Sequence, residues 1–133
     1  MNPDIEARFD IFEHKNFALN LRQTLIDVAY ELDLCLLESL KWNQPSYLSP
    51  TGSAVRIAEQ KGKVGLFVHC QTSIIETLKG EYPDECYDET RGLLLEPDGE
   101  IPIAAMRLLH IAFTYKIKSQ ANKDKRHPRP IAQ

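Results

Sequence analysis

Most of the features that would identify a function are scarce in this sequence. Its three cysteines, Cys35, Cys70 and Cys86, are odd in number and far apart. No Cys-x-x-Cys pair occurs, which excludes a zinc ribbon and a thioredoxin-like dithiol. Apolar residues never run to the roughly 20 in succession that a membrane-spanning helix requires. Met1 to Glu6 is polar rather than charged-then-apolar, so no secretion signal is read there. A cytoplasmic address with reduced thiols is therefore expected. Positive charge is not in excess: 16 Lys and Arg face 19 Asp and Glu, giving a net charge of −3 and a pI near 5.8. Nucleic acid is set aside as the main partner, because phosphate binding needs a basic footprint. The run Thr51-Gly52-Ser53-Ala54-Val55 lacks the second glycine of a G-x-S-x-G nucleophile elbow. His69 and Cys70 would point to opposite faces of a strand and so do not form a nucleophile pair, and Cys70 is expected in the core.

What is present is ordinary for a globular domain. A length of 133 residues suits one domain, with hydrophobic residues at 43% and charged residues at 26%. A domain of this size buries roughly two thirds of its unfolded surface and needs no disulfide. The spacing of Ile5, Phe9 and Phe12 predicts a short helix from Pro3 to His14. Phe17, Leu21, Thr24, Val28 and Leu32 line one face of a long helix from Asn16 to Leu34. Leu36 to Trp42 reads equally as a helical turn or a first strand. Pro45 to Leu48 is extended, Ser49 to Ser53 is a turn, and Ala54–Glu59 and Val64–Cys70 alternate as two strands of a hairpin. Ser73 and Glu76 fit a capping box for a helix ending at Gly80. Glu81 to Glu89 is polar and acidic, Gly92 to Leu95 is a short buried strand, and Pro102 opens a last helix reaching Lys118. That helix is expected to bury Ile103, Met106, Leu109, His110, Ala112 and Phe113. The order predicts an α+β fold: a small, mostly antiparallel sheet packed with helices, occupying residues 1–118 as one domain. Residues 119–133 read as a flexible basic tail.

Alternation also proposes a site. Arg56, Phe67 and His69 would share the sheet face opposite Val55, Ile57, Val64, Leu66 and Val68. That face would bring together a cation, an imidazole and an aromatic ring. Trp42, Pro45 and Tyr47 would add an aromatic wall, and Ser53 a hydroxyl. Gln71 and Thr72 stand at the start of the next helix, whose free N–H groups favour anions. The partner classes left open are a small anionic ligand, a protein, and a second copy of the chain in a homodimer; no membrane is expected. A competing reading rests on acidic residues. From Glu76 to Glu100 nine acids face Lys79 and Arg91, a balance of −7. Glu81, Asp84, Glu85, Asp88 and Glu89 would offer oxygen ligands to a weakly bound divalent cation. Otherwise no cofactor is expected. An enzyme ranks last, because His69 is the main titratable group on offer.

The segment Leu40-Lys41-Trp42-Asn43-Gln44-Pro45-Ser46-Tyr47-Leu48 resembles the K-W-x-x-P-x-Y signature of the YdhG-like family, a domain of unknown function. Thr51 to Ile57, His69 to Thr72, Tyr82-Pro83, Arg91-Gly92, Ile101-Pro102 and Ala112 to Lys116 resemble further landmarks of one bacterial branch, in the same order. The resemblance spans about Leu19 to Lys118. Asn43 stands where the family has glycine, and asparagine tolerates the left-handed backbone that glycine would supply there. The resemblance implies an α+β fold and no assigned reaction. Some members carry a frataxin-like iron-chaperone label, so the resemblance implies Fe²⁺ as the cation and an iron chaperone as the alternative function.

Overall fold

The computed structural model describes residues 1–116, so the expected basic tail lies outside the described residues. The chain opens with helix α1 (Pro3–Asp10), capped by Asn2, whose side chain accepts from the Asp4 N–H at 2.8 Å. Ile5 and Phe9 are its buried anchors. The helix stops short of His14 because the chain must turn into α2 (Lys15–Glu31). That corner is held from the sheet: the Glu59 carboxylate accepts from the backbone N–H of Glu13 at 2.9 Å and of His14 at 2.8 Å. His14, the N-cap, makes no side-chain cap bond of its own. An anion at a helix N-terminus is doubly favoured, by the free N–H groups and by the dipole. Glu59→Gln keeps the size but loses the charge and one acceptor. It should lower stability by about 1 kcal/mol in urea denaturation, in line with other charge-assisted caps.

The buried face of α2 is Phe17, Ala18, Leu21, Leu25, Val28 and Ala29. Thr24 is not part of it: its hydroxyl donates back to the Asn20 carbonyl at 3.1 Å, and Leu25 fills the place expected of it. Past the helix, Asp33 takes a φ of 57° and turns the chain toward the sheet.

Six strands follow: β1 (Leu37–Lys41), β2 (Gln44–Leu48), β3 (Val55–Gln60), β4 (Lys63–Phe67), β5 (Cys86–Asp88) and β6 (Gly92–Leu95). Every neighbouring pair is antiparallel, in the order β1-β2-β3-β4-β6-β5. The fold is therefore α+β. The open choice at Leu36 to Trp42 resolves as strand β1. Strand β5 lies inside the acidic stretch and gives no apolar periodicity, since only Tyr87 of its three residues meets the main core. Two hairpin turns use paired left-handed residues, Trp42 with Asn43 (φ 50° and 58°) and Lys61 with Gly62 (φ 54° and 75°). This geometry matches the natural twist of the flanking strands. Asparagine at 43 takes the left-handed backbone readily; tryptophan at 42 does so at a cost of order 1–3 kcal/mol.

Helices α3 (Ile74–Glu81) and α4 (Ile103–Phe113) complete the described fold. No helix among the described residues is long and apolar enough to cross a membrane. The helices cover the sheet face carrying Tyr47, Val55, Ile57, Val64, Leu66, Leu93 and Leu95. The buried stripe of α4 is Ala104, Ala105, Leu108, Leu109, Ala112 and Phe113. Ile103, Met106 and His110 are exposed, contrary to expectation. The true stripe is rotated and begins with two alanines, whose small side chains let the helix approach its neighbours closely. At α3 the capping box does not form: Ser73 makes no side-chain cap bond, and its own N–H donates to the Tyr115 hydroxyl at 3.0 Å.

The turn at Ser49 to Ser53 clamps the end of α4. Ser49 Oγ and Thr51 Oγ1 donate to the Phe113 carbonyl at 2.6 and 2.7 Å. The Ser53 N–H donates to the Ala112 carbonyl at 2.8 Å, and the Lys116 N–H to the Thr51 carbonyl at 2.9 Å. Carbonyls that a helix C-terminus leaves free are thus satisfied by a turn from mid-chain.

Candidate functional site

Opposite the helices the sheet has a second face with its own small cluster, Ala58, Phe67 and Leu94, which contains no helix residue. Register builds this face. Ser46 pairs with Arg56, Arg56 with Phe67, Phe67 with Gly92, and Gly92 with Asp88, giving one row across five strands. The two glycines at this cluster are there to seat a ring. A Cβ on Gly65 would come within 2.5 Å of the Phe67 ring, and one on Gly92 within 2.7 Å. Phe67 therefore lies on bare backbone and is buried although its cluster includes no helix residue among the described residues.

Arg56 is the cation of the row. Its Nη1 donates to Gln44 Oε1 at 2.6 Å. Its Cζ lies 4.8 Å from the centroid of the Trp42 ring and 6.0 Å from that of Phe67. The left-handed turn at residue 42 is what lets the indole reach over from the end of β1. Trp42 remains 75% exposed. Burial pulls the Arg56 pKa below the ordinary guanidinium value. No carboxylate forms an ion pair with Arg56 among the described residues. A half-buried guanidinium beside two aromatic rings, with N–H donors to spare, can bind a carboxylate or phosphate through paired hydrogen bonds.

The other residues singled out in the sequence are placed elsewhere. Pro45 and Tyr47 are buried on the helix side, since Tyr47 pairs with Val55 and joins the main core. Ser53 belongs to the clamp on α4. Strand β4 ends at Phe67, so alternation does not carry through to His69. His69, Gln71 and Thr72 form an exposed turn instead. His69 Nδ1 accepts from the Gln71 N–H at 3.1 Å, and Thr72 Oγ1 donates to the His69 carbonyl at 2.7 Å. Cys70 is exposed in that turn, not packed in the core, and Cys35 and Cys86 are exposed too. Among the proposed oxygen ligands, Glu81 is bound by Arg107 through two bonds of 2.7 and 3.0 Å. Glu89 sits in the β5–β6 turn with φ 48°, 3.6 Å from Arg91. Asp88 lies at the far end of the Arg56 row, and Asp84 and Glu85 precede β5. Among the described residues no three His, Cys, Asp or Glu converge to hold a metal ion.

Sequence reasoning missed a second constellation, on the helix side. Glu38 of β1 pairs across the hairpin with Tyr47. Arg22 of α2 grips the Glu38 carboxylate with Nε at 2.6 Å and Nη2 at 3.1 Å, and the Tyr47 hydroxyl donates to Glu38 Oε2 at 2.6 Å. Burial raises the Glu38 pKa, but the hydrogen bonds from Arg22 and Tyr47 outweigh it and hold the carboxyl below its usual range. Burial, together with the bond to an ionised Glu38, pushes the Tyr47 hydroxyl far above its ordinary range. These three groups stand at a cavity of about 270 Å³. Ile26, Ala29 and Tyr30 of α2 form one wall, and Leu34 and Leu36 another. The signal for it was the two-residue turn at Trp42-Asn43, which sets Glu38 opposite Tyr47.

Compared with family models, with curated proteins and with solved structures, the chain finds no match.

Proposed function

We propose that the protein is a binding module, rather than an enzyme, and that its open sheet face receives the anionic group of a small ligand. The observation that carries this reading is Arg56, half-buried, with its Cζ 4.8 Å from the Trp42 ring centroid and 6.0 Å from that of Phe67, and without an acidic partner among the described residues. Removing a cation from water without a counter-charge is unfavourable, and an incoming carboxylate or phosphate relieves that penalty. Lys41, register partner of Gln44, adds a second cation to the same sheet face. The exposed indole gives a flat ligand body a surface to stack on.

Trp42 is the only tryptophan in the chain, so its fluorescence reports on this face directly. Phenyl phosphate should change the Trp42 emission saturably, with inorganic phosphate binding more weakly. Arg56→Gln should weaken phenyl phosphate at least about tenfold, equivalent to ~1.4 kcal/mol. An emission that ignores phenyl phosphate and a panel of small carboxylates at millimolar concentration overturns the proposal, as does binding of equal strength to Arg56→Gln.

A further inference from the structure

We infer that the cavity between α2 and the β1–β2 hairpin is a second, independent site, and that it takes a small uncharged molecule with an apolar body and one carboxamide-like donor–acceptor pair. It lies on the helix side of the sheet, so nothing in it is shared with the Trp42–Arg56 face.

The chemical class follows from the groups at its wall. Arg22 and Glu38 neutralise each other through two hydrogen bonds, so the cavity offers no net charge to an ion. A charged ligand would be desolvated there and face a like charge beside the opposite one. A neutral polar group suits the spare valences. The guanidinium has five N–H donors, and Glu38 engages two of them. The carboxylate accepts three hydrogen bonds, from Arg22 Nε, Arg22 Nη2 and Tyr47 Oη, out of about four that it can accept. Donors and one acceptor position therefore remain side by side. A primary carboxamide complements that pattern, with its carbonyl toward Arg22 and its N–H toward Glu38. Both side chains are 20% exposed, so their polar edges are within a ligand's reach.

The rest of the wall sets the body of the ligand. Ile26, Ala29, Leu34 and Leu36 are apolar, and Tyr30, 85% exposed, stands at the rim. A volume near 270 Å³ is below that of pockets for drug-sized molecules and suits a single ring or a short branched chain. Ala29, a core residue of α2 that also lines the cavity, is where a larger side chain would fill the space.

Benzamide is the probe, with benzoate as its charged counterpart, followed by ¹H–¹⁵N NMR on the full chain. Millimolar benzamide should shift the signals of Ala29, Leu36 and Arg22 Nε–H saturably, and benzoate should bind at least tenfold more weakly. Ala29→Leu should abolish the shifts, and Arg56→Gln should leave them unchanged. Should Ala29→Leu fail to fold, Leu36→Trp fills the same space from the half-exposed rim and makes the same prediction. The inference is overturned if the shifts are absent, if they persist in the filled variant, or if benzoate binds as well as benzamide. Loss of benzamide binding in Arg56→Gln would also overturn it, by showing the two sites to be one.

Discussion

Gly52→Ala is expected to lower the stability of the fold by ~3–4 kcal/mol. A Cβ at residue 52 would overlap the Ala112 carbonyl oxygen and lie 2.6 Å from both the Phe113 oxygen and Ser49 Oγ. Two of these three atoms are helix backbone and cannot rotate away, so the turn must withdraw. Withdrawal breaks the clamp: the Ser49 and Thr51 hydroxyl bonds to Phe113, the Ser53 N–H bond to Ala112, and the Lys116 N–H bond to Thr51. At about 1 kcal/mol net for each bond, the loss is ~3–4 kcal/mol, against a total stability of roughly 5–15 kcal/mol for a domain. The control has the opposite sign. A Cβ on Gly80, in α3, meets nothing within 4 Å, and Gly80→Ala should stabilise by about 0.5–1 kcal/mol through helix propensity and chain entropy. Urea denaturation of the two variants decides it. A Gly52→Ala midpoint equal to that of the parent would mean that the clamp contributes nothing.

Glu38→Gln carries the second large effect. It leaves the Arg22 guanidinium without its carboxylate and the Tyr47 hydroxyl with a weaker acceptor. Breaking one side of a fully buried pair costs ~3–5 kcal/mol; because both side chains are 20% exposed, a loss of about 2–3 kcal/mol is expected. Tyr47→Phe removes one hydrogen bond and should cost about 1 kcal/mol. The pair Arg22→Met with Glu38→Leu removes both charges together and should be far milder than Glu38→Gln alone. The pH dependence follows from the same groups. Glu38 ionises below its ordinary value of 4.5 in the folded state. The folded protein thus binds fewer protons at this group than the unfolded chain. Its stabilisation is complete above pH 4.5 and is lost as pH falls through the folded pKa. Tyr47 has the opposite sign. Its pKa lies above 10.0 when folded, so its contribution is complete below that pH and is lost as pH rises beyond it. Glu38→Gln should flatten the acid limb of a stability–pH curve, and Tyr47→Phe the alkaline limb. An acid limb of unchanged steepness in Glu38→Gln would contradict the assignment.

Particular residues explain how much of this was legible in sequence. Alternation in β3 and β4 placed Val55, Ile57, Val64 and Leu66 inward and Arg56 and Phe67 outward, because a strand with one covered face imprints its period on the chain. The same rule failed at His69 and Cys70, because the strand had already ended at Phe67. Trp42 does stand beside Arg56, but a turn and not a strand aims its side chain there. Strand β5 is three residues long, too short for any period to register. The stripe of α4 was misread because apolar residues occur all round that helix, and three alanines share the buried face with Leu108, Leu109 and Phe113 while Ile103 and Met106 are exposed. The Arg22–Glu38 grip joins residues 16 apart across a helix end and a strand, and no local pattern encodes it. The register that sets Glu38 against Tyr47 was recoverable, had Asn43 been read as one half of a two-residue turn.

The clamp between residues 49–53 and the end of α4 also bears on the order in which the chain can become stable during synthesis. The hydroxyls of Ser49 and Thr51 must wait for a carbonyl 64 and 62 residues downstream. Helices α1 and α2 and strands β1 to β4 are complete long before that carbonyl exists, yet the core they would form includes Ala104 to Phe113. Contacts this distant along the chain slow folding, because the intervening loop must be closed before they form. A nascent chain that has not yet released α4 would therefore hold its sheet with part of the inner face uncovered. Such a surface is what chaperones bind. The last helix acts as the closing piece, and folding to the native state awaits nearly the whole of the described chain.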